Sequence, residues 1–323
     1  MLKTKMTELL EIQYPIMQGG MQHLGTSELA AAVSNAGGLG TINATIYPTP
    51  DELRAAIRRT KELTTKPFCV NVSLVPHIAL GEVTYRQFDV MFEEGVKVVE
   101  TAGASPSAFS PIIRKSDMKW IHKAASVKHC LKAEEMGADI VTIAAFEVAG
   151  HPGPDGIGTI ILANKASQTL GIPVIAAGGI ADGRGLVAAL ALGASGVTMG
   201  TRFVASTECS IHSNHKDWIV DASENDSTLC QKSIRNMVRV ANNSAAKKCL
   251  EMEAQGASLE ELMQVISGKN GKACYENGNV DGGLFPIGPS AGLITSVKSV
   301  KNIIDDIMAE AEAAILKLNI QNQ

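Results

Sequence analysis

The chain has 323 residues, 45% of them hydrophobic and 19% charged, which suits one large α/β unit and excludes an intrinsically disordered chain. A net charge of −4 and an aromatic content of 4% argue against a basic nucleic-acid stripe or a base-stacking surface. No apolar run reaches the ~18–20 residues of a membrane span, and the opening Met1-Leu2-Lys3-Thr4-Lys5 lacks an export pattern, so a cytoplasmic protein is expected.

In chain order, short apolar runs alternate with segments of helical period. Strands are expected at residues 15–18, 39–43, 68–73, 96–101, 119–123, 140–144, 173–177 and 196–199. Helices fill the gaps, at 27–36, 127–136 and 162–170. Another opens at Thr49-Pro50-Asp51-Glu52, where a threonine cap precedes proline and two acids. Gly95, Gly137, Gly171 and Gly193 stand just ahead of strands, where a left-handed glycine turns the chain back after a helix. Strands apolar on both faces and joined by helices imply a parallel sheet with helices covering it. Eight such units favour closure into a TIM (β/α)₈ barrel over an open doubly wound sheet. After Phe203 the rhythm changes. Residues 207–270 show no convincing strand and read as helices at 233–242, 245–255 and 259–266. The expected organisation is therefore a barrel of residues 1–206 and 271–323 with a helical cap, 207–270, inserted after strand eight. Gly278-Asn279-Val280-Asp281-Gly282-Gly283 reads as a turn cluster and 299–318 as a closing amphipathic helix.

A TIM barrel carries function on the loops that follow its strands. Strand seven runs into Ala177-Gly178-Gly179 and strand eight into Met199-Gly200-Thr201; glycines there let backbone N–H groups approach an anion, aided by a following helix N-terminus. Tight turns alone would also use these glycines, but two consecutive loops in the barrel's usual phosphate position are more specific. Strand one ends in Met17-Gln18-Gly19-Gly20, where a flat ring can lie against the backbone and Gln18 can meet a heteroaromatic edge. Asn71 and Lys123 sit at the mouths of strands three and five; an amide can donate and accept there, and an ammonium can offset developing negative charge. Strand alternation turns His122 the other way, as a packing or interface residue. After strand six, Ala149-Gly150-His151-Pro152-Gly153 presents an imidazole on a stiff loop, suited to acid, base or hydrogen-bonding work near neutral pH. Cys209, His212 and His215 mimic metal-ligand spacing, but without a matching second cluster they read as a solvated helix start, so no metal is expected. The six cysteines form no CxxC pair and read as reduced thiols.

Together these strings resemble the FMN-dependent family that contains nitronate monooxygenases, formerly 2-nitropropane dioxygenases, with FMN-type enoyl-ACP reductases and NADH:quinone reductases. The resemblance runs from Tyr14-Pro15-Ile16-Met17-Gln18-Gly19-Gly20-Met21 to Asp281-Gly282-Gly283. It implies FMN held by Met17, Gln18, Gly19, Gly20, Asn71, Lys123, Ala149, Gly150, Ala177, Gly178, Gly179, Met199, Gly200 and Thr201, with His151 and Lys123 as the catalytic pair. The Ala149–Gly153 string, and the stretch from Ala181 to Ala194, look most like the NADH:quinone reductase subgroup. Ala149 and Pro152 stand where nitronate monooxygenases and enoyl reductases more often have a second glycine and no proline, which points away from nitronate. Asp281-Gly282-Gly283 leans toward the enoyl reductases. The implied activity is hydride transfer from NAD(P)H through FMN to a quinone or similar acceptor. Nitronate oxidation by O₂, enoyl-ACP reduction and a non-enzymatic flavin-binding barrel are the alternatives. The partner is a small molecule rather than nucleic acid, and a homodimer is compatible with it.

Overall fold

Each apolar run becomes a strand: β1 (Ile16–Gln18), β2 (Gly40–Asn43), β3 (Phe68–Leu74), β4 (Val98–Gly103), β5 (Lys119–Ala124), β6 (Ile140–Ala144), β7 (Val174–Ala177) and β8 (Gly196–Met199). The computed structural model describes residues 2–74 and 81–320, with side chains through 318. Its eight strands are parallel, in the order β1-β8-β7-β6-β5-β4-β3-β2, a nearly closed TIM barrel with alternating helices. A parallel bridge from Met17 to Leu39 closes the seam between β1 and β2. Gln18 reinforces it: its Nε2 donates to the Thr41 carbonyl at 2.9 Å and its Oε1 accepts from the Thr41 N–H at 3.1 Å.

The helices begin and end for local reasons. Thr49 and Glu52 form a reciprocal capping box at the start of the helix Pro50–Leu63, as the sequence leads one to expect. Gly95, Gly137 and Gly193 do adopt the left-handed conformation, whereas Gly171 does not. The closing helix Val300–Ile320 packs on the helix Gly183–Ala191 so closely that a Cβ on Gly183 would lie 2.3 Å from the Ile307 carbonyl oxygen.

Strand alternation and the ladder registers sort the barrel interior into layers, with side chains from alternate strands sharing each one. The lowest layer takes Leu39, Val98 and Ile140; the next takes Met17, Cys69, Ile121 and Ile175, all buried in one apolar cluster. A short helix, Lys5–Leu10, plugs this end with Met6 and Leu10. It is too short to show a hydrophobic period, so nothing in the sequence announces it. Above the apolar layers the even strands contribute Thr41, Glu100, Thr142 and Thr198, and the odd strands then contribute Gly19, Asn71, Lys123 and Ala177. The barrel is apolar at its base and polar toward its mouth.

Beyond β8 one expectation fails. Residues 233–242 are not a helix. They form a turn and a strand, β10 (Val238–Ala241), which pairs antiparallel with β9 (Ser227–Cys230). Val238 and Val240 are β-branched and bury against Cys230, Cys249 and Leu262, so a cross-strand partner outweighs the local helical spacing. The flanking helices Ser244–Ala254 and Leu259–Ile266 form where expected, and Gly268–Asn277 runs across residue 270.

Candidate active site

Glu100 is the residue that organises the mouth, and sequence reasoning missed it. Its side chain is fully buried on β4, where Oε2 accepts from Asn71 Nδ2 at 2.5 Å and from Lys123 Nζ at 3.3 Å. Lys123 and Asn71 are thereby brought together, and the Lys123 side chain keeps 24% exposure toward the opening. Glu100 Oε1 and the hydroxyls of Thr41, Thr142 and Thr198 are buried without a protein partner among the described residues. These four atoms come from one barrel layer, where apolar branched side chains would be usual. An acid inside the apolar run Val98-Val99-Glu100 was the available signal.

The first-strand glycines stand across from this group. A Cβ on Gly20 would fall 2.4 Å from Asn71 Cγ, so the backbone there lies directly on the Asn71 amide. Gly178 and Gly179 follow β7 with φ of 116° and 70°, conformations that glycine tolerates at little cost. Among the described residues no protein acceptor takes the N–H of Gly178, Gly179 or Gly200. The helix after β7 contributes less than expected, because Asp182 already caps it by accepting from Gly185 N–H at 2.7 Å. Thr201 Oγ1 accepts from Gly288 N–H at 3.2 Å, which ties the segment after the helix Gly268–Asn277 to the β8 loop. Glu147 accepts from the Thr159 N–H, and the single Thr159 hydroxyl proton is directed to the Gly178 carbonyl at 2.9 Å, so the loops after β6 and β7 are held together.

His151 rides on a loop that β10 fastens. Gly150 and Arg239 exchange both backbone hydrogen bonds, at 3.0 and 2.6 Å. The Arg239 guanidinium donates to the Phe146 carbonyl at 3.1 Å through Nη2 and lies 4.9 Å from the Phe146 ring centre, a cation–π contact. Burial lowers the Arg239 pKa, opposed by nearby Glu147. Crowding by the protein also lowers the His151 pKa, opposed by a hydrogen bond with Asn236, although the residue remains open to solvent. Arg239 and Asn236 both lie in the stretch expected to be helix, which hid them.

Other expected residues have structural duties. The Met17 side chain lies in the apolar barrel layer, and Met199 packs outside the barrel while its carbonyl accepts from Gly19 N–H at 2.9 Å. The Gln18 amide, expected at a ring edge, is taken up by the seam. His122 is a packing residue: Trp120 Nε1 donates to Thr101 Oγ1 at 2.8 Å, and the same hydroxyl is hydrogen-bonded to His122 Nδ1, also at 2.8 Å. Burial pushes its pKa down to about 4. A helix does start within the stretch of Cys209, His212 and His215, and residues 212–214 are exposed there, but the two flanking side chains are not solvated. Cys209 and His215 are buried, His215 lies edge-on to Tyr275 and Phe285, and His212 caps the helix Ser213–Asp221.

The residues present fit a flat heterocycle carrying a phosphate. Bare glycine backbone and the Asn71 amide line one side, a cation stands at the floor, and unpaired N–H groups cluster where strands seven and eight end.

The chain is similar to several known proteins. The family model described as nitronate monooxygenase matches residues 3–310. The solved structure of FabK from Thermotoga maritima superposes with a TM-score of 0.92, at 40% identity over 99% of each chain. The (3aS,4S,5R,7aS)-5-hydroxy-7a-methyl-1-oxo-octahydro-1H-indene-4-carboxyl-CoA dehydrogenase of Rhodococcus jostii is 31% identical over 96% of both chains. A probable nitronate monooxygenase of Staphylococcus saprophyticus is 35% identical over 71% of this chain and 75% of its own length.

Proposed function

We propose, from the premise that the chain belongs to the nitronate monooxygenase family of oxidoreductases, that it is an FMN-dependent reductase passing hydride from NAD(P)H to a conjugated carbonyl acceptor, a quinone or an enoyl thioester. The family is FMN-dependent in general. The observation that carries the proposal is the Asn71–Glu100–Lys123 cluster set beneath a histidine loop at one barrel mouth.

Bound FMN would supply a reversible two-electron hydride centre. Gly178, Gly179, Gly200 and Thr201 would hold its phosphate through backbone N–H groups, with Ala177 at the strand end beneath them. Gly19, Gly20 and Asn71 would line the ring, and Ala149 and Gly150 its other edge. Gln18 and Met199 serve by fixing the β1 strand end rather than by direct side-chain contact. Lys123 keeps a positive charge at the floor, held by Glu100, where it offsets negative charge built up during reduction. His151 exchanges a proton with the acceptor at a ring nitrogen, and its lowered pKa favours the neutral imidazole at pH 7. The barrel and the segment 207–270 together would bound the cleft for NAD(P)H.

Two relatives favour the enoyl thioester: FabK, an enoyl-ACP reductase, and a dehydrogenase named for a carboxyl-CoA substrate. Nitronate oxidation is the second reading, favoured by the Staphylococcus relative. Anaerobic stopped-flow separates the two. Rapid bleaching of the flavin by NADH or NADPH, and recolouring by crotonyl-CoA or a benzoquinone, is expected. Bleaching by propionate-3-nitronate with none by either nicotinamide would replace the proposal with nitronate oxidation.

A further inference from the structure

One layer of the barrel interior is polar from all four of its contributing strands. Thr41, Glu100, Thr142 and Thr198 come from β2, β4, β6 and β8, and the ladder registers set them at one level. Strand alternation points all four side chains at the barrel axis. Thr41, Glu100 and Thr142 are 0% exposed and Thr198 7%. Below them lies the apolar layer of Met17, Cys69, Ile121 and Ile175. Above them stand Asn71 and Lys123, which both bond Glu100 Oε2 and leave its Oε1 untouched. The three threonine hydroxyls and Oε1 have no protein partner among the described residues, and none of the four bonds another. Whatever satisfies them therefore stands between them. Valine has the shape of threonine and is usual inside such barrels, so packing alone does not call for these hydroxyls.

We propose that this layer is an enclosed water site on the barrel axis, where at least one ordered water accepts from threonine hydroxyls and donates to Glu100 Oε1. A hydroxyl both donates and accepts, whereas a carboxylate oxygen only accepts. Water carries two protons and two lone pairs, and a buried water typically makes about three hydrogen bonds. That inventory matches three hydroxyls arranged around one carboxylate oxygen. A dehydrated metal cation fits less well. With every lone pair turned to the ion, the three hydroxyl protons would need acceptors that the layer lacks, and Lys123 already meets the Glu100 charge. The water fixes Glu100 from below, so that only its other oxygen meets Asn71 and Lys123. The site needs no bound flavin, so it stands apart from the reading of the mouth.

The test is water ¹⁷O relaxation dispersion, which counts long-lived internal waters, on the full chain with and without FMN and on Thr142→Val and Thr198→Val. The native protein should hold at least one more long-lived water than either variant. Both variants should also melt at lower temperature, because Glu100 Oε1 loses its donor. Thr142→Ser, which keeps the hydroxyl, should keep the water. A dry layer predicts the opposite sign, since replacing an unsatisfied hydroxyl by a methyl group is neutral or stabilising. An equal water count with an equal or higher melting temperature in both valine variants would overturn the inference. So would a native melting temperature that rises with sodium or potassium chloride but not with tetramethylammonium chloride, the mark of a bound cation.

Discussion

Replacing Lys123 by Met tests the cluster at the barrel floor, because it removes the cation from a carboxyl group that is 0% exposed. Stripping one partner from a buried ion pair usually costs about 3–5 kcal/mol. Lys123 is itself 24% exposed and water can follow the missing ammonium, so about 2–3 kcal/mol is the appropriate expectation here. For a chain of this size that corresponds to a fall of about 3–5 °C in Tm. The assay is thermal and denaturant unfolding of the apoprotein and the FMN-loaded protein, which separates lost stability from lost ligand. A double-mutant cycle completes it. Glu100→Gln keeps a polar group beside Asn71 but lacks the charge, so in that background Lys123→Met should cost far less, with a coupling of about 1–2 kcal/mol. Strict additivity, a coupling under about 0.5 kcal/mol, would refute the view that Glu100 and Lys123 act as a pair.

Gly20→Ala would press a methyl group to 2.4 Å from Asn71 Cγ, and Asn71 is held by Glu100 and cannot withdraw freely. FMN affinity, followed by fluorescence quenching, should fall at least ~10-fold, equivalent to about 1.4 kcal/mol, with the circular dichroism unchanged; native affinity would contradict the assigned ring position. Arg239→Lys loses the forked contact with the Phe146 carbonyl and ring. Amide exchange across residues 146–153 should speed up by about tenfold, and unchanged protection would show that the loop does not depend on the guanidinium. Burial holds His122 and His215 at a pKa of about 4, below the unfolded value of 6.5. The unfolded chain therefore binds protons that the folded one excludes, so the stability from these residues is full above pH 6.5 and is lost as pH falls toward 4. Each contributes up to about 3 kcal/mol. His215→Phe should lower the slope of unfolding free energy between pH 4 and 6.5 by up to about 1.4 kcal/mol per pH unit, one proton's worth, and an unaltered slope would sink the assignment.

Much of the fold is legible in the sequence because it is local. The Thr49–Glu52 capping box and the β-branched runs of β3, β4 and β6 need no distant partner to be recognised. The opposite orientations of His122 and Lys123 follow from strand alternation alone. The hairpin is different. Ile234, Met237, Val238 and Ala241 recur at helical spacing, and no glycine or proline marks the turn at Gln231 and Arg235. Only the non-local pairing with β9 and with Gly150 makes this stretch a strand. Glu100 lies 29 residues from Asn71 and 23 from Lys123, so its role emerges only from the register of three adjacent strands. Gln18 is illegible for the same reason: its amide pairs with the backbone of Thr41, 23 residues away across the barrel seam.

The central claim is a flavin anchored by its phosphate in the glycine loops after β7 and β8, and parallel titration of the apoprotein with FMN and riboflavin tests it most directly. Two charge-assisted hydrogen bonds to a phosphate, at about 1.5–3 kcal/mol each, should make FMN at least ~100-fold tighter than riboflavin. One FMN bound per chain with that margin is the predicted result. Equal affinity for the two, or no binding of either, would contradict the account.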